Sequence, residues 1–179
     1  MRTINAFTGD YEFLHNYFPH PVQYEGILYP TNEHAFQAAK TLDVALRKKI
    51  ASCETPGKAK ALGNRIPIRS DWEAVKTGIM EELCRLKFSD PILKVRLIAT
   101  VGCYLIVGNH WGDTCWGMVN GNGENRLGKI LMTLRDDIIQ NECNLRSLDD
   151  ILQDVYSRTV PTGIIAPSIS HSTTPNHER

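Results

Sequence analysis

The sequence predicts a predominantly helical single domain with a small N-terminal hairpin and short strands, on three observations. A length of 179 residues suits one compact core. Helix-cap signals recur from Thr31 onward, and turn residues cluster before residue 30. The domain is expected to span residues 1–158. A flexible tail over residues 159–179, rich in Pro, Ser, Thr and His and without an apolar period, is expected to follow.

The elements follow in order. Thr8-Gly9-Asp10, Pro19-His20-Pro21 and Tyr24-Glu25-Gly26-Ile27 punctuate short apolar runs, which predicts one hairpin and loops. Thr31 ahead of Asn32-Glu33 caps a helix running to about Lys40. Thr55-Pro56 with Gly63 beyond gives the order cap, first-turn proline and terminal glycine. Ser70-Asp71 opens a longer helix in which Trp72, Val75, Ile79, Leu83 and Leu86 recur at helical spacing and define a buried face. Asp90-Pro91 starts the next, with Leu93, Leu97 and Ile98 inward. Cys103 to Val107 is a candidate short strand. The irregular stretch after it holds five glycines between residues 108 and 123, and a loop of that length in a compact domain is usually functional. Leu127, Ile130, Leu131, Leu134 and Ile138 mark another helix, and Ser147-Leu-Asp-Asp150 caps a last one through Tyr156.

Charge and cysteine usage exclude several classes. Lys plus Arg and Asp plus Glu number 20 each, so no long-range basic field recruits nucleic acid or an anionic membrane. Cys53, Cys84, Cys103, Cys115 and Cys143 stand singly, without a CxxC pair or histidines at zinc spacing, which reads as free thiols of a reducing compartment and no metal site. The N-terminus MRTINAFTGDYEF lacks the apolar run of a signal peptide, and no stretch approaches about 18 consecutive apolar residues. A cytoplasmic location and no membrane partner are expected.

Two segments carry the chemistry. On a helix from Thr31 to Lys40, residues 33, 37 and 40 share one face, so Glu33, Gln37 and Lys40 can turn toward one cavity; the competing reading is a solvated polar stripe. The second segment is Trp111-Gly-Asp-Thr-Cys-Trp-Gly117 followed by Asn120 to Gly128. It combines aromatic platforms at Trp111 and Trp116, a carboxylate at Asp113, and backbone at Gly117 free to approach a ligand closely. That set suits a nucleobase and a phosphorylated ribose, against the plainer reading of a packed loop. Its entry into a helix near Asn125 offers N–H groups to a phosphate; it matches neither GxGxxG nor the Walker pattern.

The blocks Tyr11 to Pro19, Tyr29-Pro-Thr-Asn-Glu-His-Ala-Phe-Gln-Ala-Ala-Lys40, Thr55 to Lys60, Arg69-Ser-Asp-Trp72, Lys87-Phe88, Asp113 to Gly117 and Asn125 to Met132 together resemble the NADAR (YbiA-like) family, in the family's order over about residues 7 to 140. The resemblance implies an α-rich α+β single domain with N-glycosidase activity and no metal or redox cofactor. It places the family's functional glutamate on Glu33, its lysine on Lys40, its aromatics on Trp72 and Trp116 and its aspartate on Asp113. Two departures bear on substrate preference: Val107, where many members carry glutamate, and His15, where they usually carry serine.

Breaking a ribosyl C–N bond develops an oxocarbenium-like cation, so one carboxylate, Glu33 or Asp113, stabilises charge present only in the transition state. The other polarises water or protonates the departing nitrogen. Lys40 is either a neutral amine that captures the ribose aldehyde or a cation that binds phosphate or base. Trp72 and Trp116 stack on base faces or pack in the core, and Asn125 binds ribose or phosphate or caps its helix. The expected substrate is a small molecule or single nucleotide bearing ribose or ADP-ribose. Of the substrates the resemblance implies, ADP-ribose attached to guanine fits the tryptophan and glycine-loop set best, with modified DNA or RNA as carrier. The alternatives are a ribosylamino-pyrimidine intermediate of riboflavin synthesis and a non-catalytic ADP-ribose- or NAD-binding module.

Overall fold

A computed structural model describes residues 2–145, with side chains to residue 143. Its elements are β1 (Arg2–Ile4), a 3₁₀ turn over Gly9–Leu14, β2 (Val22–Tyr24), β3 (Ile27–Tyr29), α1 (Asn32–Ala38), α2 (Val44–Ala51), α3 (Pro56–Gly63), α4 (Trp72–Lys87), α5 (Pro91–Ile98), β4 (Cys103–Leu105) and α6 (Arg126–Leu145). The helix expected over residues 147–156, the domain end at 158 and the tail lie outside the described residues. Contacts group residues 1–140 into one compact unit, and a second begins at Asn141. The fold is mixed α and β, helices dominating, and among the described residues no helix is long and apolar enough to cross a membrane.

Local chemistry sets the helix starts. Thr31 Oγ1 accepts from His34 N at 3.3 Å, Thr55 Oγ1 from Lys58 N at 3.1 Å, and Asp90 Oδ1 from the N–H groups of Ile92 and Leu93 at 2.9 Å each. Asp71 precedes α4 without capping it, because its carboxylate forks onto the Arg69 guanidinium at 2.6 and 2.8 Å. Helix α2 has no counterpart among the sequence-based expectations: Val-Ala-Leu-Arg-Lys-Lys-Ile-Ala buries only Arg47 and Ile50 and so shows little apolar period, yet Asp43 caps it through the N–H groups of Ala45 and Leu46. Gly63 is the last residue of α3, as its position predicts, but it is not a left-handed cap. The chain leaves α3 through Asn64 in a right-handed conformation, and a Cβ on Gly63 would collide with the Gln37 side chain; the residue permits close approach of α3 to α1.

The hairpin β2–β3 turns through Glu25 and Gly26, both at positive φ (44° and 78°), as a two-residue turn of right-handed twist requires. A second, parallel pair joins β1 to β4, with Ile4 opposite Leu105. At the centre lies α1, all seven residues buried and in contact with α2, α3, α4 and both hairpin strands. That helix carries Asn32, Glu33, His34 and Gln37 into the interior. Only His34 is fully explained by packing: Thr31 Oγ1 lies 2.8 Å from Nδ1, and Nε2 donates to the Cys53 carbonyl at 3.1 Å. Desolvation makes the remaining polar burial costly, so the helix is where a site is expected.

Candidate active site

Glu33, Gln37 and Lys40 open onto one cavity of about 690 Å³, whose walls also carry Trp72, Asp113 and Trp116. Helix α1 ends at Ala38, and a tighter turn, Lys40 N to Gln37 O at 3.3 Å, carries Lys40 onto the same face. The polar stripe of the sequence is therefore a cavity wall and not a solvated face.

Glu33 is 7% exposed. Burial pushes its carboxyl above the usual carboxylate range, opposed by the Gln37 hydrogen bond and by Lys60 and Lys40, and reinforced by Asp113. Gln37 Nε2 donates to Glu33 Oε1 at 2.8 Å, while Gln37 Oε1 is buried against Gly63 without a hydrogen-bond partner. The Gln37 amide thus orients the carboxyl. Lys40 is half-buried, with Nζ donating to Asn64 Oδ1 at 3.0 Å. Burial lowers its amine below the usual range, opposed by Glu33 and helped by Lys60.

Asp113 arrives from the loop between β4 and α6. Its Oδ1 accepts the N–H groups of Cys115 (3.1 Å) and Trp116 (2.9 Å), and its backbone is clasped by Asn109, which accepts from Asp113 N at 3.0 Å and donates to Asp113 O at 2.8 Å. Asp113 Oδ2 has no hydrogen bond among the described residues. Trp116 and Trp72 both pack against Phe36, edge-on at 5.2 Å and tilted at 5.1 Å. Trp72, only 8% exposed, is at once a core residue and part of the cavity wall.

The rest of the glycine loop does not do what its composition suggests. The N–H groups of Glu124, Asn125, Arg126 and Leu127 already donate to the carbonyls of Thr114, Gly117, Cys115 and Trp116, so these four are not free to bind a phosphate. Asn125 is 1% exposed at φ 52°, its Oδ1 accepting from Val107 N at 3.0 Å and its Nδ2 donating to Leu105 O at 2.8 Å. It is not among the wall residues; its side chain ties the start of α6 to the end of β4, and its carbonyl accepts the Lys129 N–H at 3.0 Å. Gly117 is likewise not among the wall residues; a Cβ there would collide with the Val107 carbonyl, so this glycine permits the close approach of the loop to Val107.

Sequence reasoning assigned no role to several wall residues. Lys60 and Asn64 come from α3 and its cap, Lys76 from α4, Phe36 from α1, and Tyr17 from the segment before β2. The TPGKAK run held a signal for Lys60, with two lysines on a capped helix. Lys87 was also missed: its buried Nζ donates to the His15 carbonyl at 2.8 Å and lies over the Phe18 and Phe88 rings, and burial lowers it to about 8. His15 and Val107, the two departures from the family pattern, both line the cavity. Among the described residues no group of three metal-ligating side chains comes together.

The model of the NADAR domain matches residues 4–139. The N-glycosidase YbiA of Shigella flexneri is 39% identical over 135 residues, 73% of this chain and 84% of its own length. A riboflavin biosynthesis protein of Vibrio vulnificus is 32% identical over 154 residues, 84% of this chain but 40% of that longer protein. The NMR structure of the E. coli protein YbiA superposes with a TM-score of 0.71 at 34% identity, covering 79% of this chain and 88% of that one.

Proposed function

This chain belongs to the NADAR domain family, and from that premise we propose that it is an N-glycosidase, hydrolysing the bond between ribose C1 and a nitrogen of a ribosylated nucleotide. The observation that carries the reading is the meeting of Glu33 and Asp113, from a central helix and a distant loop, in one cavity with tryptophans and lysines. Loss of nitrogen from C1 leaves an oxocarbenium-like cation and a base that needs a proton, so one carboxyl must give a proton and one carboxylate must face the sugar. Glu33 takes the first part, because burial favours its protonated form. Asp113 takes the second, stabilising the cation and then orienting the water whose oxygen bonds to C1, while the proton that water loses restores the Glu33 carboxyl. Trp72 and Trp116 hold planar groups by their faces.

Lys40, Lys60 and Lys76 supply ammonium donors for phosphate oxygens. Lys40 is read as such a cation and not as an amine that captures the ribose aldehyde, since Asn64 holds its Nζ and two further lysines continue the same wall. Borohydride added during turnover should leave the mass of the chain unchanged; a reduced adduct on Lys40 would reassign it.

The finer reading is removal of ADP-ribose from guanine. Three amines and a cavity of about 690 Å³ suit a pyrophosphate and its riboses better than a single sugar phosphate. The name of the Vibrio relative supports a second substrate, a ribosylamino-pyrimidine phosphate. Incubating the protein separately with a guanine-ADP-ribosylated oligonucleotide and with that pyrimidine phosphate, then identifying products by mass, decides between them. With no net charge to recruit a long polyanion, cleavage should depend little on oligonucleotide length or salt. Efficiency climbing steeply with length, or activity confined to the pyrimidine compound, contradicts the ADP-ribose reading.

A further inference from the structure

A second cavity of about 510 Å³ adjoins the first, and the two share His15, Tyr17, Val107 and Trp111 as lining residues. Their linings differ in kind. The first holds three lysines; the second holds no lysine or arginine, and its own residues include Phe7, Phe18 and Pro19 with a single carboxylate, Glu12. A phosphate has no lysine or arginine of the lining to meet there. A planar, uncharged ring has several apolar neighbours and an acceptor for its N–H groups.

We propose that this second cavity is the subsite for the departing base, taking a heteroaromatic ring such as a purine against Trp111, with Glu12 and His15 supplying polar contacts at its edge. The proposal rests on the N-glycosidase reading. Trp111 is 54% exposed and braced edge-on by His110 at 5.3 Å, so its indole is open to stacking. His15 is fixed in one orientation: its Nδ1 accepts the Tyr17 N–H at 2.9 Å and the Tyr17 ring abuts it edge-on at 4.9 Å. In the neutral ring Nε2 therefore bears the proton and donates. Burial, with Lys87 and then Lys60 nearby, holds the imidazole below its usual range, which keeps it in that neutral form.

Direction follows from the neighbours of Glu33. Its backbone N–H donates to the Asn16 carbonyl at 3.0 Å, between the junction residues His15 and Tyr17, and the Tyr17 hydroxyl is pushed up first by burial and then by the nearby Glu33 carboxyl. The nitrogen that receives the proton thus lies toward the second cavity. Lys60 on α3 and Lys76 on α4 belong to the first cavity alone, which leaves the phosphorylated ribose on that side. The C–N bond is then broken at the mouth between a chamber lined by lysines and an aromatic one lined by none.

Ala6 and Glu12 are exposed and line only the second cavity, so Ala6→Trp fills it and Glu12→Lys reverses its charge without touching the first. Both are made in full-length protein that also carries Glu33→Gln, so that binding is read without turnover, and calorimetry measures guanosine and ADP-ribose separately. Guanosine affinity should fall at least tenfold in each variant, with ADP-ribose held within twofold. A folded variant that keeps its guanosine affinity overturns the subsite, as does a larger loss for ADP-ribose, or failure of the Glu33→Gln protein itself to bind guanosine. Turnover by the unsubstituted chain is scored apart. If no ribosylated substrate is cleaved while both variants lose guanosine, the glycosidase reading falls and the base subsite stands.

Discussion

Helix α1 and the loop from residue 108 to residue 125 each deliver one carboxylate to the cavity, and they hold it in opposite ways. Glu33 is sunk in the core at 7% exposure, oriented by one amide, with its protonated form favoured by burial. Asp113 is half-exposed and held by two backbone N–H groups, in a loop that spends its own amides on internal bonds. On the proposed reading the same functional group is thereby given two chemistries, a proton donor where burial favours the protonated form and a fixed negative end where the backbone supports it. The helix holds its residue at a cost in stability; the loop gains stability from its residue. Substitutions at the two positions should therefore separate activity from folding in opposite directions.

The largest effect is expected from Glu33→Gln. Turnover per folded molecule should fall on the order of 10²- to 10⁴-fold, as loss of a positioned proton donor does, while the melting temperature at neutral pH rises. The sign follows from burial: a carboxyl whose folded pKa is raised contributes stability below the unfolded value, about 4.3, and loses it as pH rises through the folded value. Scanning calorimetry from pH 8 to pH 4 should show the gain of the Gln variant shrinking toward acid. A Gln variant that melts lower at pH 8 would break the comparison on its helix side.

Asp113 sharpens the other side. Asp113→Asn keeps an oxygen for the N–H groups of Cys115 and Trp116, so its melting temperature should stay near that of the parent while turnover drops. Asp113→Ala loses those bonds as well and should cost about 1–2 kcal/mol in denaturant unfolding. Equal stability of the Asn and Ala variants would show that the loop does not lean on this side chain. A smaller catalytic effect is expected from Gly63→Ala, whose methyl must displace Gln37 and with it the partner of Glu33. Overpacking of this kind costs about 1–3 kcal/mol, and kcat should fall more than KM rises.

These contrasts also mark where the sequence was legible. Short-range chemistry read well: the caps at Thr31, Thr55 and Asp90 and the face shared by Glu33, Gln37 and Lys40 depend on residues within a turn or two of one another. Features that depend on distant chain were not legible. The β1–β4 pairing joins segments a hundred residues apart, Lys60 and Asn64 reach the cavity only because α3 packs on α1, and α2 hides behind a run of charged residues with a weak apolar period. The close contacts of two glycines were hidden for the same reason. Gly63 and Gly117 are required by a side chain and a carbonyl from other parts of the chain, which no local pattern of glycines can announce.

The central claim, that buried Glu33 gives the proton to the departing nitrogen, is tested most directly by the pH dependence of kcat/KM. It is measured by mass-detected product release on the unsubstituted chain and on Glu33→Gln. Activity of the unsubstituted chain should fall as pH rises through a pKa above the ordinary carboxylate range, because the donor is then lost. The residual activity of the Gln variant should lack that limb. An alkaline limb that persists unchanged in Glu33→Gln would contradict the assignment and move the proton donor to another group.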